Sequence, residues 1–251
     1  VGMAEGHAVP FSAGLAAAGM VPFCNIYSTF MQRAYDNVIH DVAIQGLPVV
    51  MCLDRGGLVG EDGVTHHGVF DMAAFGAVPG LTVAAPMNEP ELRNMMWTGL
   101  QARGLGEGLP WRGLPFETLP VGRGRRLREG RDVALVTVGT VGNAAARAAE
   151  HAAAQGVEAA HYDLRWVKPL DTELLDEVGR TFRRVITVED GCLRGGVGEA
   201  VAAYFNARGY DAHVTCLGIG DAWVEHGTPE QLHALCGYDE ESIFRALTQP
   251  V

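Results

Sequence analysis

The stretch Asp54-Arg55-Gly56-Gly57-Leu58-Val59-Gly60-Glu61-Asp62-Gly63-Val64-Thr65-His66-His67-Gly68 concentrates groups able to do chemistry. Arg55 offers a planar fork to a phosphate or carboxylate. His66 and His67 can exchange protons near neutral pH. The glycines let a backbone come close to a ligand. On composition alone, a solvated loop with a local Asp54–Arg55 pair explains the same residues. Asp62, His66 and His67 as metal ligands is a weaker reading, because no HExxH or cysteine pairing accompanies them and adjacent histidines in a strand point to opposite faces. No metal site is expected in the chain.

Three other places carry candidate groups. Tyr27-Ser28-Thr29-Phe30-Met31-Gln32-Arg33-Ala34-Tyr35-Asp36 joins an apolar run to a helical one. Tyr27 and Phe30 there suit either a core or a binding wall. Glu5, beside Gly6 and His7, suits a first-turn surface carboxylate as well as an acid–base role. Gly195-Gly196-Val197-Gly198 opens a helical segment, a place where backbone N–H groups can hold an anion. It lacks the GxGxxG spacing of a dinucleotide site.

The surrounding pattern is alternation of short apolar strands with amphipathic helices. A helix is expected from Ala4 to Ala18 and a strand from Val21 to Tyr27. Phe30, Ala34, Val38, Val42 and Gln45 then recur at helical spacing. Pro48 to Leu53 reads as a strand. Leu81 to Ala85 is a further strand, before a helix from Glu89 to Gln101 with Asn88 as N-cap. From Arg103 to Gly130 the period is lost among glycines and prolines, which predicts a linker. Strands are then expected at Val133–Val138, Val157–Tyr162, Val185–Val188 and Ala212–Leu217, with helices at Asn143–Ala154, Thr228–Leu235 and Glu240–Leu247. The fold class is therefore α/β: two three-layer domains with mainly parallel sheets, residues 1–105 and 131–251, joined by a linker at 106–130. Ligands in such sheets gather at the carboxyl ends of strands, where the Asp54–Gly68 loop lies.

Composition narrows the partners. The chain has 251 residues, 48% of them apolar, enough for a large core. A net charge of −11 argues against nucleic acid. No apolar run is long enough for a membrane span, and no signal peptide is read. The five cysteines form no CxxC pair, as suits reduced thiols in a cytoplasmic protein. The opening Val1-Gly2-Met3-Ala4-Glu5 starts in mid-motif, so a longer parent chain is expected.

Taken in order, these segments resemble the 1-deoxy-D-xylulose-5-phosphate synthase family of the transketolase superfamily. Gly2-Met3-Ala4-Glu5-Gly6-His7-Ala8-Val9, Tyr27 to Asp36, His40 to Gln45, Asp54 to His66, Arg165-Trp166-Val167-Lys168-Pro169-Leu170-Asp171, and Val188-Glu189-Asp190 with Gly195 to Gly198 carry the match. The resemblance implies a pyrimidine-binding domain, incomplete at its start, followed by the C-terminal domain. It implies a thiamine-diphosphate-dependent transferase that condenses pyruvate with D-glyceraldehyde 3-phosphate, releases CO2 and feeds isoprenoid, thiamine and pyridoxal synthesis. Glu5 would meet the aminopyrimidine ring nitrogen and activate the cofactor, Phe30 would stack on that ring, and Tyr27 would lie beside it. Arg55 would meet the acceptor phosphate, with Tyr27 and Arg33 also toward substrate. Asp62 and His66 would assist proton transfer. The Mg2+ and diphosphate ligands belong to an N-terminal domain missing from this chain, so the chain is expected to be inactive alone and the intact enzyme a homodimer. Gly6 stands where the family usually carries Gln, and the family's Arg-Tyr-Pro-Arg-Gly segment has no counterpart after Gln101. The competing functions are the pyrimidine-half subunit of a split transketolase or of a 2-oxoacid dehydrogenase E1 β type, and a non-catalytic dimerisation module.

Overall fold

A computed structural model describes residues 2–101 and 116–249. The first half starts with helix α1 (Glu5–Ala17), which presses Ala8, Val9 and Ala13 onto strand β1 (Phe23–Tyr27). Along β1 burial alternates, with Cys24 and Ile26 in the core. Side chains alternate across a strand, so Tyr27 falls on the face away from that core. Strand β2 (Val50–Asp54) lies parallel to β1 with Tyr27 opposite Asp54. The turn after β1 and the loop after β2 therefore start side by side.

The helix expected through Phe30 and Gln45 is four consecutive pieces. Helix α2 (Ser28–Met31), a 3-10 turn (Gln32–Ala34), helix α3 (Tyr35–Asn37) and a π turn (Val38–Ala43) follow one another. Met31, Ala34, Val38 and Val42 stay buried throughout. Changes of pitch reconcile that apolar stripe with an outward face carrying Phe30 and Arg33, and such irregular turns collect at functional sites. Helix α4 (Asp71–Gly76), strand β3 (Val83–Ala84) and helix α5 (Glu89–Gln101) complete this half. Asn88 Oδ1 accepts the Glu91 N–H at 3.1 Å, the capping bond expected of it.

The second half is a five-stranded sheet in the order β4-β6-β5-β8-β9. Its strands are β4 (Arg125–Arg128), β5 (Val133–Val138), β6 (Ala159–Asp163), β8 (Arg184–Cys192) and β9 (His213–Ile219). All neighbours are parallel except β4, which runs antiparallel to β6. Every residue of β5 is buried. Helices α6 (Gly142–Ala154) and α10 (Glu240–Thr248) cover one face, and α7 (Thr172–Thr181) and α8 (Val197–Arg208) the other. Helix α9 (Pro229–Cys236) opens on a capping box made by Thr228 and Gln231.

Two strands escape sequence reading. β4 sits inside the segment expected as a linker. Its arginines point to Asp163, Glu177 and Glu158 rather than to a core, so hydropathy gives no sign of it. A charged edge strand of this kind resists pairing with other chains. Strand β7 (Trp166–Lys168) pairs antiparallel with β3 and stitches the two halves together. The expected loss of an arginine-bearing segment after Gln101 falls on 102–115, outside the described residues.

Candidate active site

The level ends of β1 and β2 bring all seven sequence-selected residues into one chain of contacts. Glu5 opens α1 with its carboxylate almost fully buried. Arg33 Nη1 donates to Glu5 Oε1 at 3.4 Å, and its guanidinium lies 4.9 Å from the Phe30 ring centre. One turn of the chain separates Phe30 from Arg33, which puts both on one face. The Tyr27 and Phe30 rings are 5.1 Å apart, and the His66 ring stands edge-on to both at 5.9 and 5.4 Å. Arg55 Nη1 donates to the Tyr27 hydroxyl at 3.0 Å and pairs with Asp62 Oδ2 at 3.5 Å. Tyr27 and Phe30 are both part-buried and both face charged groups, and Phe30 also packs against the core of this half.

The loop carrying Arg55, Asp62 and His66 is pinned in several ways. Arg55 itself takes a positive φ of 57°, uncommon for a residue with a side chain. Gly57 and Gly68 exchange backbone hydrogen bonds at 2.8 and 2.9 Å, closing the excursion between them. A Cβ on Gly68 would meet Ser28 Oγ at 2.1 Å, so only glycine permits this approach to the Tyr27–Phe30 turn. Thr29 Oγ1 donates to the Thr65 carbonyl at 3.1 Å. Thr65 Oγ1 lies 2.8 Å from His66 Nδ1.

Two sequence candidates have other work. His67 is buried, accepting the Val59 N–H on Nδ1 at 3.2 Å and placing Nε2 3.4 Å from the Glu225 carbonyl. It shares no ligand set with His66, and no group of three His, Cys, Asp or Glu among the described residues is arranged for a metal. The helix end at Gly195–Gly198 is filled by the chain's own Glu189, which accepts the Val197 and Gly198 N–H groups at 2.9 and 2.8 Å. Burial raises the pKa of Glu189, and those two bonds pull it back.

Residues that the sequence did not flag also support the site. Ser28, between Tyr27 and Phe30, donates to Asp71 Oδ2 at 2.5 Å. Burial raises the Asp71 pKa to about 6, against the lowering effect of that bond. A serine beside an aromatic site residue was the available signal. Its partner, 43 residues on, had none. Gly6 is exposed, and an added Cβ would find only Asn37 Oδ1 at 3.6 Å, so the departure at this position leaves room rather than a clash.

Comparison with known proteins accounts for this arrangement. Residues 1–104 match the transketolase pyrimidine binding domain, and residues 122–243 match the transketolase C-terminal domain. The chain belongs to the transketolase superfamily. The relatives it matches are 1-deoxy-D-xylulose-5-phosphate synthases, among them that of Bacteroides fragilis, 53% identical over 99% of this chain and 40% of that protein. The Gloeobacter violaceus enzyme is 45% identical over 100% of this chain and 42% of that protein. This chain thus spans about two fifths of the length of these relatives. Among solved structures, a split gene transketolase described as an inactive beta4 tetramer superposes with a TM-score of 0.86 at 27% identity, over 98% of this chain and 82% of that one. The α/β architecture expected from sequence is the transketolase one.

Proposed function

We propose that this chain supplies the pyrimidine-binding and C-terminal parts of a thiamine-diphosphate-dependent 1-deoxy-D-xylulose-5-phosphate synthase. The observation that carries the reading is the continuous set Glu5–Arg33–Phe30–Tyr27–His66 with Arg55 and Asp62 at its rim. Its inner end fits an aminopyrimidine: a buried carboxylate whose one hydrogen-bond partner among the described residues is Arg33 at 3.4 Å, with the Phe30 ring close by. When bound, thiamine diphosphate supplies the electron sink for decarboxylation. Glu5 holds or gives up a proton at the ring nitrogen, and the low-dielectric surroundings strengthen that bond. Phe30 and Tyr27 form the wall against which the ring is oriented.

Pyruvate loses its carboxylate as CO2, and the remaining two-carbon unit bonds to the aldehyde carbon of D-glyceraldehyde 3-phosphate. The aldehyde oxygen takes a proton in that step, and in this reading His66 gives it, with Asp62 assisting. Arg55, more than half exposed, presents its fork to the acceptor phosphate. Arg33 serves the substrate side and shields Glu5. Mg2+ and the diphosphate would be held by residues outside this chain. The intact protein is a cytoplasmic homodimer in this reading; no helix among the described residues is long and apolar enough to cross a membrane.

The test is CO2 release from pyruvate by the full-length enzyme with and without D-glyceraldehyde 3-phosphate. Dependence on that acceptor is expected; turnover only with another aldose phosphate would reject the reading. Calorimetry on this chain alone, with thiamine diphosphate and Mg2+, should show no micromolar binding. The division into units at 1–105 and 131–251 belongs to the same proposal. Trypsin should cut first between 105 and 124, ahead of β4, and early cuts within β5 would oppose it. The likeness to a split gene transketolase favours a second reading, a subunit that pairs with a separate diphosphate-binding chain. Co-purification of two separately encoded chains, with activity only in the mixture, would establish that form.

A further inference from the structure

The second half touches the candidate site's loop through a part-buried carboxylate that the proposed chemistry does not use. Asp190 lies near the carboxyl end of β8, and its side chain crosses to the first half. Oδ1 accepts the Leu58 N–H at 3.0 Å and the Tyr238 hydroxyl at 2.8 Å. Oδ2 lies 3.6 Å from His233 Nε2, a buried nitrogen with no hydrogen-bond partner among the described residues. Gly57 has φ +81°, and a Cβ there would stand 2.1 Å from Asp190 Oδ2. The carboxylate thus takes the space where every other residue type has its side chain. Gly57 is two residues past Arg55, which sits in its own left-handed conformation. The same loop is met farther along by the Glu225 carbonyl, opposite His67, and by the Gly227 N–H, 3.5 Å from the Gly60 carbonyl.

These contacts have a direction. A charge-accepting bond to a backbone N–H is stronger than a neutral one. It fixes the main chain itself, not a mobile side chain. Tyr238 and His233 hold the carboxylate from behind, so its position is set by α9 and the residues that follow it. Arg55 reaches Tyr27 and Asp62 from a backbone held in this left-handed turn.

We infer that Asp190, backed by Tyr238 and His233, is a positioning residue that sets the Arg55–Asp62 arm of the active site for the phosphate of the acceptor. The inference rests on the function proposed above and adds a role for the C-terminal half in acceptor recognition. Asp190 touches no reacting atom; it acts through the Gly57–Leu58 main chain.

The experiment uses the full-length enzyme with Asp190→Ala, Asp190→Asn and Tyr238→Phe. Amide hydrogen exchange over residues 56–68 should speed up about tenfold or more in Asp190→Ala while β5 and β6 keep wild-type protection. The KM for D-glyceraldehyde 3-phosphate should rise roughly 10- to 100-fold, as displaced binding groups produce, with the KM for pyruvate within about twofold. Asp190→Asn keeps an oxygen acceptor and should recover most of both losses. Tyr238→Phe removes one neutral donor and should give a change of about threefold in the same direction, which serves if the alanine variant fails to fold. Unchanged exchange in 56–68, a uniform loss of protection across the second half, or equal rises in both KM values would overturn the inference. Absence of turnover in the wild type with this substrate pair would instead reject the proposed function, and the exchange data would still decide what Asp190 does to the loop.

Discussion

The two halves of the molecule spend their buried polar groups in opposite ways. In the second half, β5 is buried along its whole length, and three buried polar side chains beside it are engaged by partners within the fold. His161 meets Thr137 at 2.9 Å, Asp163 meets Arg125 at 3.0 Å, and Glu189 caps α8. In the first half, two strands and a helix that changes pitch three times leave Glu5 buried beside a half-exposed Arg33, with Tyr27, Phe30 and His66 only part-covered. The regular half can hold its neighbour still because a continuous five-stranded sheet fixes its backbone. The irregular half keeps groups available because its backbone is not saturated by a sheet. Sites carried on loops beside a rigid scaffold follow the same logic.

That contrast makes unequal demands on mutations. The largest effect expected is on Glu5. In the full-length enzyme, Glu5→Ala should lower CO2 release by about 10²- to 10⁴-fold, the usual cost of removing a general acid–base group. Melting should move little, because Arg33 can turn to water. Near-normal turnover would return Glu5 to the role of a buried first-turn carboxylate and erase the contrast.

Next comes the seam between the halves. Glu91 is buried, and Arg165 Nε at 2.6 Å and Arg125 Nη2 at 3.1 Å converge on its Oε1. Glu91→Ala should cost about 3–5 kcal/mol, since it strands the largely buried Arg165 guanidinium and the Met87 N–H, while Arg125 keeps Asp163. Urea unfolding should then separate into two transitions. One undivided transition at the wild-type midpoint would mean that the seam carries no such load.

Within the scaffold, Leu135→Ala should destabilise by about 2–5 kcal/mol without changing either KM. Ile26→Ala, in the two-stranded sheet, should fall near the lower end, about 2 kcal/mol, because a less regular half relaxes more readily around a cavity. Equal costs measured by urea titration would show that the first half is packed as firmly as the second.

The smallest effects are in pH dependence, and their signs differ. Burial holds the His161 pKa down to about 4 from 6.5, with Arg125 adding to it. The unfolded chain therefore binds the extra proton between these values. Stability from His161 is present above pH 6.5 and is lost as pH falls toward 4. Asp71 behaves the other way: its pKa is raised to about 6 from 3.8, so the folded state binds the extra proton. Its contribution is present below pH 3.8 and is lost as pH rises through 6. Asp71→Asn should steepen the rise in melting temperature between pH 4 and 6, by leaving His161 unopposed. A flatter profile in that variant would contradict the sign for Asp71.

How far the sequence alone determined this protein can be read from particular residues. The apolar run of β5, the Ala-rich α1, the Asn88 cap and the Thr228 start of α9 follow from local pattern, because burial period and capping chemistry act within a few residues. The seven candidate site residues are picked out through a family resemblance, whose motifs lie in two short segments and at Glu5. Tertiary structure decided the rest. Arg125–Arg128 is a strand only because Asp163, Glu177 and Glu158 lie across from it. His67 became a buried brace and His66 a neighbour of Tyr27 and Phe30 according to which side of one turn faced Glu225. Asp71 and Asp190 gained partners 43 and 132 residues away. Local sequence sets what a residue can donate, accept or bury. Only the folded backbone sets which distant group it meets, and at a site built from strand ends and loops that meeting decides the chemistry.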